Sequence, residues 1–427
     1  MIAPSSYGAL SATSANTIKG NAPWFAGHSG AKKLGFKIGN TKYSESEGNL
    51  LPLSSGVINY VNATGLNLRD LEIMTLTTTD FDVETDYYDA DGDEAHPTDV
   101  FSMGTRTHEW RDRDGTRIFY NSNANQILGC GNELKLPLTL KIKLPNVKVR
   151  SRYGNPSESL STELVQEYKI TVTGICFAKP NSTNVYSNAQ WLNVSSGSSF
   201  VWNDSNVISP TRGGGYKPDY VPNKGFKASA TIKFPTTGFP GAKFQLVMDG
   251  SQTDYTYTSE ATPQNSVTVD TNGWVKLNSK PNGDVIIKAK LKNSNPVVEH
   301  EYTFNPTSVW ALPQSGTGNY SWASNKCGGA SNILTRAELT NSPVATSSNY
   351  LTPNTYTRTI GGGIFGEWGR TDSVSYPDSR WVSTVRGESQ ITSRYWVTDT
   401  WSNGNYVVDS FRGDIYHKRA ESVACRG

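Results

Sequence analysis

No stretch of this sequence approaches the roughly 20 apolar residues of a membrane-spanning helix. The N-terminus has neither the charged nor the apolar region of a secretory signal. The fragment itself is therefore not expected to span a membrane, and it reads as a piece whose export signal and anchor lie elsewhere. Charge imbalance is missing too. The 40 basic residues nearly cancel 38 acidic ones, leaving +2, which gives no field to recruit nucleic acid or anionic membrane. Neither Cys-x-x-Cys nor a Cys/His cluster occurs, which removes the usual zinc sites. The Gly-x-Ser-x-Gly elbow is absent. His108-Glu109 continues as Trp110-Arg111-Asp112 rather than as a zincin helix. His28, His96, His108, His300 and His417 have no supporting motif, so no catalytic residue and no enzyme is expected. Carboxylate pairs such as Asp112 with Asp114 or Asp372 with Asp378 leave a surface glycosidase as the least favoured reading.

What is present points to strands. Hydrophobic residues make up only 36% of the chain while aromatics reach 11%, with Gly, Ser, Thr and Asn filling much of the rest. That mixture suits short strands joined by polar turns. At 427 residues the chain exceeds one ordinary core, and about two to four domains are expected. Four cysteines, an even number, fit an oxidising compartment. Three pairings are open. Cys130 with Cys176 and Cys327 with Cys425 are favoured because each pair stays inside one proposed domain.

Leu134, Leu136, Leu138, Leu140, Ile142 and Leu144 alternate with polar residues, the period-two signature of a strand with one wet face. Tyr168, Ile170 and Val172 repeat the pattern and run on to Cys176, so Cys130 and Cys176 are expected to cross-link neighbouring strands of a β-sandwich in residues 1–222. Between Tyr186 and Asn223 the pattern dissolves into Ser, Asn, Gly and Pro, which reads as a boundary. Residues 225–305 carry short runs at Ala230-Ile232-Phe234, Phe244-Leu246-Met248, Val267-Val269, Trp274 to Leu277 and Ile287-Ala289-Leu291. Asn272-Gly273 and Asn282-Gly283 signal hairpins of type I′, and the whole reads as an immunoglobulin-like sandwich. Residues 306–427 hold six of the eleven tryptophans, and Thr335 to Glu338 matches a capping box for a helix over Arg336 to Asn341. Gly361-Gly362-Gly363-Ile364-Phe365-Gly366 formally fits a dinucleotide fingerprint, but a loop is expected there because no helical run follows.

Pro235-Thr236-Thr237-Gly238-Phe239-Pro240-Gly241, Tyr255-Thr256-Tyr257-Thr258 and Val269-Asp270-Thr271-Asn272-Gly273 resemble the bacterial immunoglobulin-like repeat of the invasin and intimin family. Tyr320-Ser321-Trp322 to Cys327, then Leu334-Thr335-Arg336-Ala337-Glu338, resemble the two short helices of the C-type-lectin-like domain that ends such adhesins. Gly174-Ile175-Cys176-Phe177 resembles the InvasinE-type adhesion module. The resemblance implies a mainly β chain of tandem β-sandwich and immunoglobulin-like domains followed by an α+β C-type-lectin-like domain. It also implies a disulfide from Cys327 beside the first helix to Cys425 in the last strand. The function implied is that of an inverse autotransporter passenger at the bacterial cell surface, held by an outer-membrane region absent from this fragment. As a monomer it would attach to a host cell-surface protein or, alternatively, to a glycan.

Three further expectations concern sites. Asp89, Asp91 and Asp93 offer the hard oxygen ligands calcium prefers, although glycine and the bidentate glutamate are out of place for an EF-hand. Calcium is thus the one cofactor the sequence allows. The glutamate-proline-asparagine signature of sugar-binding lectins is missing from residues 306–427, and Trp202-Asn203-Asp204, another lectin tripeptide, lies outside that domain. Trp368, Trp381 and Trp401, near Gly, Pro and Ser, are expected to be exposed and are the candidate ligand contacts.

Overall fold

The computed structural model describes residues 19–52, 59–60, 65–130, 134–183, 185, 208, 210, 213–294, 297–344, 354–382, 385–386, 390–391, 394–402, 404–417 and 420–427. Trp202 to Asp204 lie outside the described residues. The fold is mainly β, with 39% strand and 12% helix. It divides into two compact units, one of residues 1–128 and 132–172, the other of residues 129–131 and 173–427.

In the first unit the leading element is the long strand Leu138–Val149, four residues later than the alternation alone suggests. Its odd and even positions separate cleanly: Leu138, Leu140, Ile142 and Leu144 are buried while the lysines between them are not. It pairs antiparallel with Thr162–Ile170 on one side and Thr107–Arg111 on the other, and Arg117–Ile118 closes that edge. A second, three-stranded sheet centres on Phe36–Ile38 between Thr41–Tyr43 and Leu71–Ile73. Tyr168 joins the two layers. Its ring meets Phe36 edge-on at 5.7 Å, and its hydroxyl donates to the Leu34 carbonyl at 2.6 Å.

The second unit holds three larger sheets and the short pair Val385–Arg386 with Gln390–Ile391 among the described residues. One runs in the order Tyr220–Val221, Gly225–Lys227, Ile175–Pro180, Ala242–Met248, Trp274–Leu277, Val267–Val269. Facing it is the sheet of Tyr255–Glu260, Val285–Leu291 and Glu299–Phe304. In the third, Thr237–Gly238 pairs in parallel with Val309–Pro313, followed by Ser422–Arg426, Arg394–Trp401, Gly404–Asp409 and Ile415–His417. A single hydrophobic cluster runs from Ala178 through Phe244 and Trp310 to Ala424. Apolar surface of both the 225–305 and the 306–427 segments is removed from water by one shared core.

Several local expectations change. Cys130 and Cys176 do form a disulfide, but both belong to the second unit. Cys130 lies in a turn at φ +56°, and Cys176 lies on Ile175–Pro180, which pairs with Ala242–Met248. Phe177 and Ala178 are buried in succession, as suits a strand covered on both faces rather than the half-wet strand before it. The compact division accordingly falls at Val172/Thr173, ahead of the Ser- and Gly-rich stretch. Ala230-Ile232-Phe234 forms no ladder: Phe234 is buried, whereas Ile232 is 65% exposed.

The turns also differ. Of Asn272 and Gly273 only the glycine has positive φ, +74°, because the Asp270 carboxylate accepts the Asn272 and Trp274 backbone N–H groups and shapes a longer turn. Asn282-Gly283 joins strands of two different sheets rather than a hairpin. Gly363–Trp368 is a helix, where a loop was expected. The Thr335 capping box is present, with the Glu338 carboxylate accepting the Thr335 N–H at 2.7 Å, and its helix spans Arg336–Leu339. Asn319 caps Tyr320–Lys326 by accepting the Trp322 N–H at 2.9 Å. Cys327 follows that helix directly and is bonded to Cys425 in Ser422–Arg426.

Candidate functional site

The three tryptophans expected at the surface part company. Trp368 and Trp381 are 0% and 1% exposed, a correction to the reading based on their Gly- and Pro-rich neighbours. Trp368 packs on Phe234 and Phe239, and its indole N–H donates to the Thr237 carbonyl at 3.1 Å. Trp381 stacks edge-on against Phe239, Phe365 and Tyr395. Both rings are enclosed by aromatic partners from distant segments, so small neighbours in sequence do not mark exposure here. Trp401 alone of the three remains half-exposed. It ends the strand Arg394–Trp401 and lies against His417 with ring centres 3.9 Å apart and planes tilted by 56°, with Tyr406 5.0 Å from the same imidazole. Burial lowers the pKa of His417.

A heavily bonded buried carboxylate, Glu367, had no local signal in the sequence. Glu367 is fully buried and accepts from the backbone N–H and hydroxyl of Thr236, the same two groups of Thr237, and the Gly361 N–H at 2.8 Å. Burial pushes its carboxyl up, and these donors pull it back. A second buried set links Arg394 to Asp409 and Glu421 and Arg412 to Asp414, while the Tyr416 hydroxyl donates to Asp414 at 2.7 Å. Burial and then the Asp409 charge raise the pKa of Asp414. Alternating acids and arginines in Asp409-Ser410-Phe411-Arg412-Gly413-Asp414 were the available signal.

Asp89, Asp91 and Asp93 come together, with one carboxylate oxygen from each within 4.8 Å of the others. Asp89 Oδ1 accepts the Asp91 N–H at 2.9 Å, and Asp91 accepts the Asn21 side-chain amide at 2.9 Å. Asp89 Oδ2 is buried without a hydrogen-bond partner among the described residues. Burial and the Asp89 and Asp93 charges push the Tyr87 phenol up to about 12. The carboxylates considered for hydrolysis are otherwise engaged. Asp112 accepts the Asp114 and Thr116 N–H groups, Asp114 pairs with Lys135, and Asp378 with Lys276. Asp372 accepts from Arg370 and from the Val374 and Ser375 backbone.

Residues 219–304 match the family model of invasin domain 4. No curated protein sequence matches the chain. Among solved structures, invasin, described as a bacterial integrin-binding protein, aligns at 17% identity and TM-score 0.39, over 77% of this chain and 58% of that one. An EHEC O157:H7 intimin mutant aligns at 19% identity and TM-score 0.29, covering 49% of this chain and 94% of the other. Intimin in its complex with Tir90 gives 19% and 0.30, over 48% and 92%. Over residues 219–304 the chain is thus similar to invasin domain 4.

Proposed function

We propose that this chain is the adhesive, non-enzymatic segment of a bacterial surface protein and that it attaches to a host cell-surface protein. The observation that carries the reading is the match to invasin domain 4 over residues 219–304, a segment continued through a shared core into the disulfide-closed segment 306–427. In this reading residues 225–305 form the immunoglobulin-like domain and 306–427 the lectin-like domain of a monomer. Anchorage lies with an outer-membrane region outside this sequence, as in an inverse autotransporter. Trp401 is the remaining aromatic candidate for receptor contact. Sugar stacking by Trp368 and Trp381 has no support, since both rings are enclosed.

The test is binding of the whole chain to host cells before and after surface proteolysis or glycosidase treatment. Binding abolished by protease and retained after glycosidase is expected. Failure to bind any host cell overturns the reading. A second proposal, favoured by the unpartnered Asp89 Oδ2, is that Asp89, Asp91 and Asp93 hold calcium. Calorimetry at millimolar calcium should detect binding that Asp89→Asn removes; no heat would dismiss it.

A further inference from the structure

The first unit contains a cavity of about 370 Å³ where the strand pair Thr107–Arg111 and Arg117–Ile118 meets the short helix Tyr120–Asn123. Its volume is within the range of small-ligand sites. Trp110 and Ile118 face each other across the pairing and are 2% and 8% exposed, so they close the floor with apolar surface. Phe119 stands at the mouth, 64% exposed, and Tyr120 meets the His108 imidazole edge-on at 6.5 Å. Covering this ring on binding would remove apolar surface from water.

The polar groups of the wall are mostly donors. The Trp110 indole N–H, in a side chain almost wholly buried, has no acceptor among the described residues. Such a group carries a desolvation cost until an acceptor arrives. The Arg117 guanidinium lies 5.4 Å from the centre of the Phe119 ring and pairs with no carboxylate among the described residues. The one carboxylate in the wall, Glu109, is neutralised by Arg111 at 2.5 Å. Asn121 and Ser122 add an amide and a hydroxyl at the rim.

We propose that this cavity is a binding site for an acidic sugar, a pyranose bearing a carboxylate. Its carboxylate lies against Arg117, its C–H face lies on Phe119, and its hydroxyls engage Asn121 and Ser122. A bidentate guanidinium suits a planar carboxylate, and an aromatic face suits the apolar side of a sugar ring. A bare carboxylate, such as an acidic side chain of a protein, would use the donors but leave the phenyl ring uncovered. This favours the sugar. The site is separate from the Trp401 surface and from the attachment proposed above.

The experiment titrates the whole chain with the methyl glycosides of N-acetylneuraminic acid, glucuronic acid and galactose, and with a glutamate-rich peptide. Arg117→Ala and Phe119→Ala, both at exposed positions, are run in parallel with their melting curves. At least one acidic sugar is expected to bind, at least tenfold more tightly than galactoside, and each substitution should weaken it at least tenfold without moving the melting curve. Arg117→Lys should recover part of the loss. The proposal is overturned if no acidic sugar binds, if galactoside binds as well, or if both alanine variants bind as the parent does. Binding of the peptide alone with the same residue dependence also overturns it, in favour of a protein ligand.

Discussion

The Glu367 carboxylate accepts the Thr237 backbone N–H at 2.9 Å and the Thr237 hydroxyl at 2.7 Å, in a site with no exposure to solvent. Thr237 belongs to the two-residue strand that pairs with Val309–Pro313, so this contact fixes where the 306–427 sheet takes up the 225–305 segment. Glu367→Ala would leave the Thr236, Thr237 and Gly361 donors unpaired. A loss of about 3–5 kcal/mol is expected in urea denaturation, and a loss under about 1 kcal/mol would show that water takes over the role.

Trp368 and Trp401 should respond oppositely. Trp368→Ala empties a fully buried site packed by Phe234, Phe239 and Tyr376 and should cost about 3–5 kcal/mol. Trp401→Ala, at a half-exposed strand end, should cost about 1 kcal/mol or less while weakening cell attachment. Denaturation and cell binding measured on the same two variants decide the matter. A stable Trp401→Ala variant that attaches as well as the parent would remove Trp401 from the receptor surface.

Asp249 gives a pH dependence. It is 8% exposed and accepts the Cys130 N–H at 3.1 Å, and burial pushes its carboxyl up to about 6 from the usual 3.8. Between about pH 4 and pH 6 the folded chain therefore keeps a proton that the unfolded chain has released. Its contribution is fully present below the unfolded value and is lost as pH rises through that window, by about 3 kcal/mol in all. Asp249→Asn should flatten this part of the profile and melt no lower than the parent at pH 8. Thermal unfolding followed across pH would expose an unchanged slope if another group is responsible.

Cys327 and Cys425 close a loop with a sequence separation of 98. Replacing both by serine should cost about 2–5 kcal/mol, read from denaturation under non-reducing conditions. The loss should be matched by adding reductant to a Cys130→Ser/Cys176→Ser double variant, in which only this bridge remains. A pair of curves that coincide with their controls would show that the shared core alone holds the segment.

Period, turn chemistry and cysteine number are local properties, and they carried a good deal. The alternation around Leu140 marked the principal strand of the first unit because one face must be apolar and the other wet, and Thr335 with Glu338 marked a helix start because three residues suffice for a capping box. The repeat residues between Pro235 and Gly273 fall inside the segment that matches invasin domain 4. Local rules reach no further than the residues they couple. They could not place Ile175–Pro180 with Ala242–Met248, since strand partners far apart in sequence are selected by burial on both faces. Nor could composition tell an enclosed tryptophan from an open one: Trp368 and Trp401 have similar neighbours in sequence, but only the tertiary structure brings Phe234, Phe239 and Thr237 around the first. The same holds for Glu367 and for the Arg117–Phe119 cavity. Desolvation and convergent hydrogen bonding depend on which distant groups arrive at one point, and that is settled when the sheets pack.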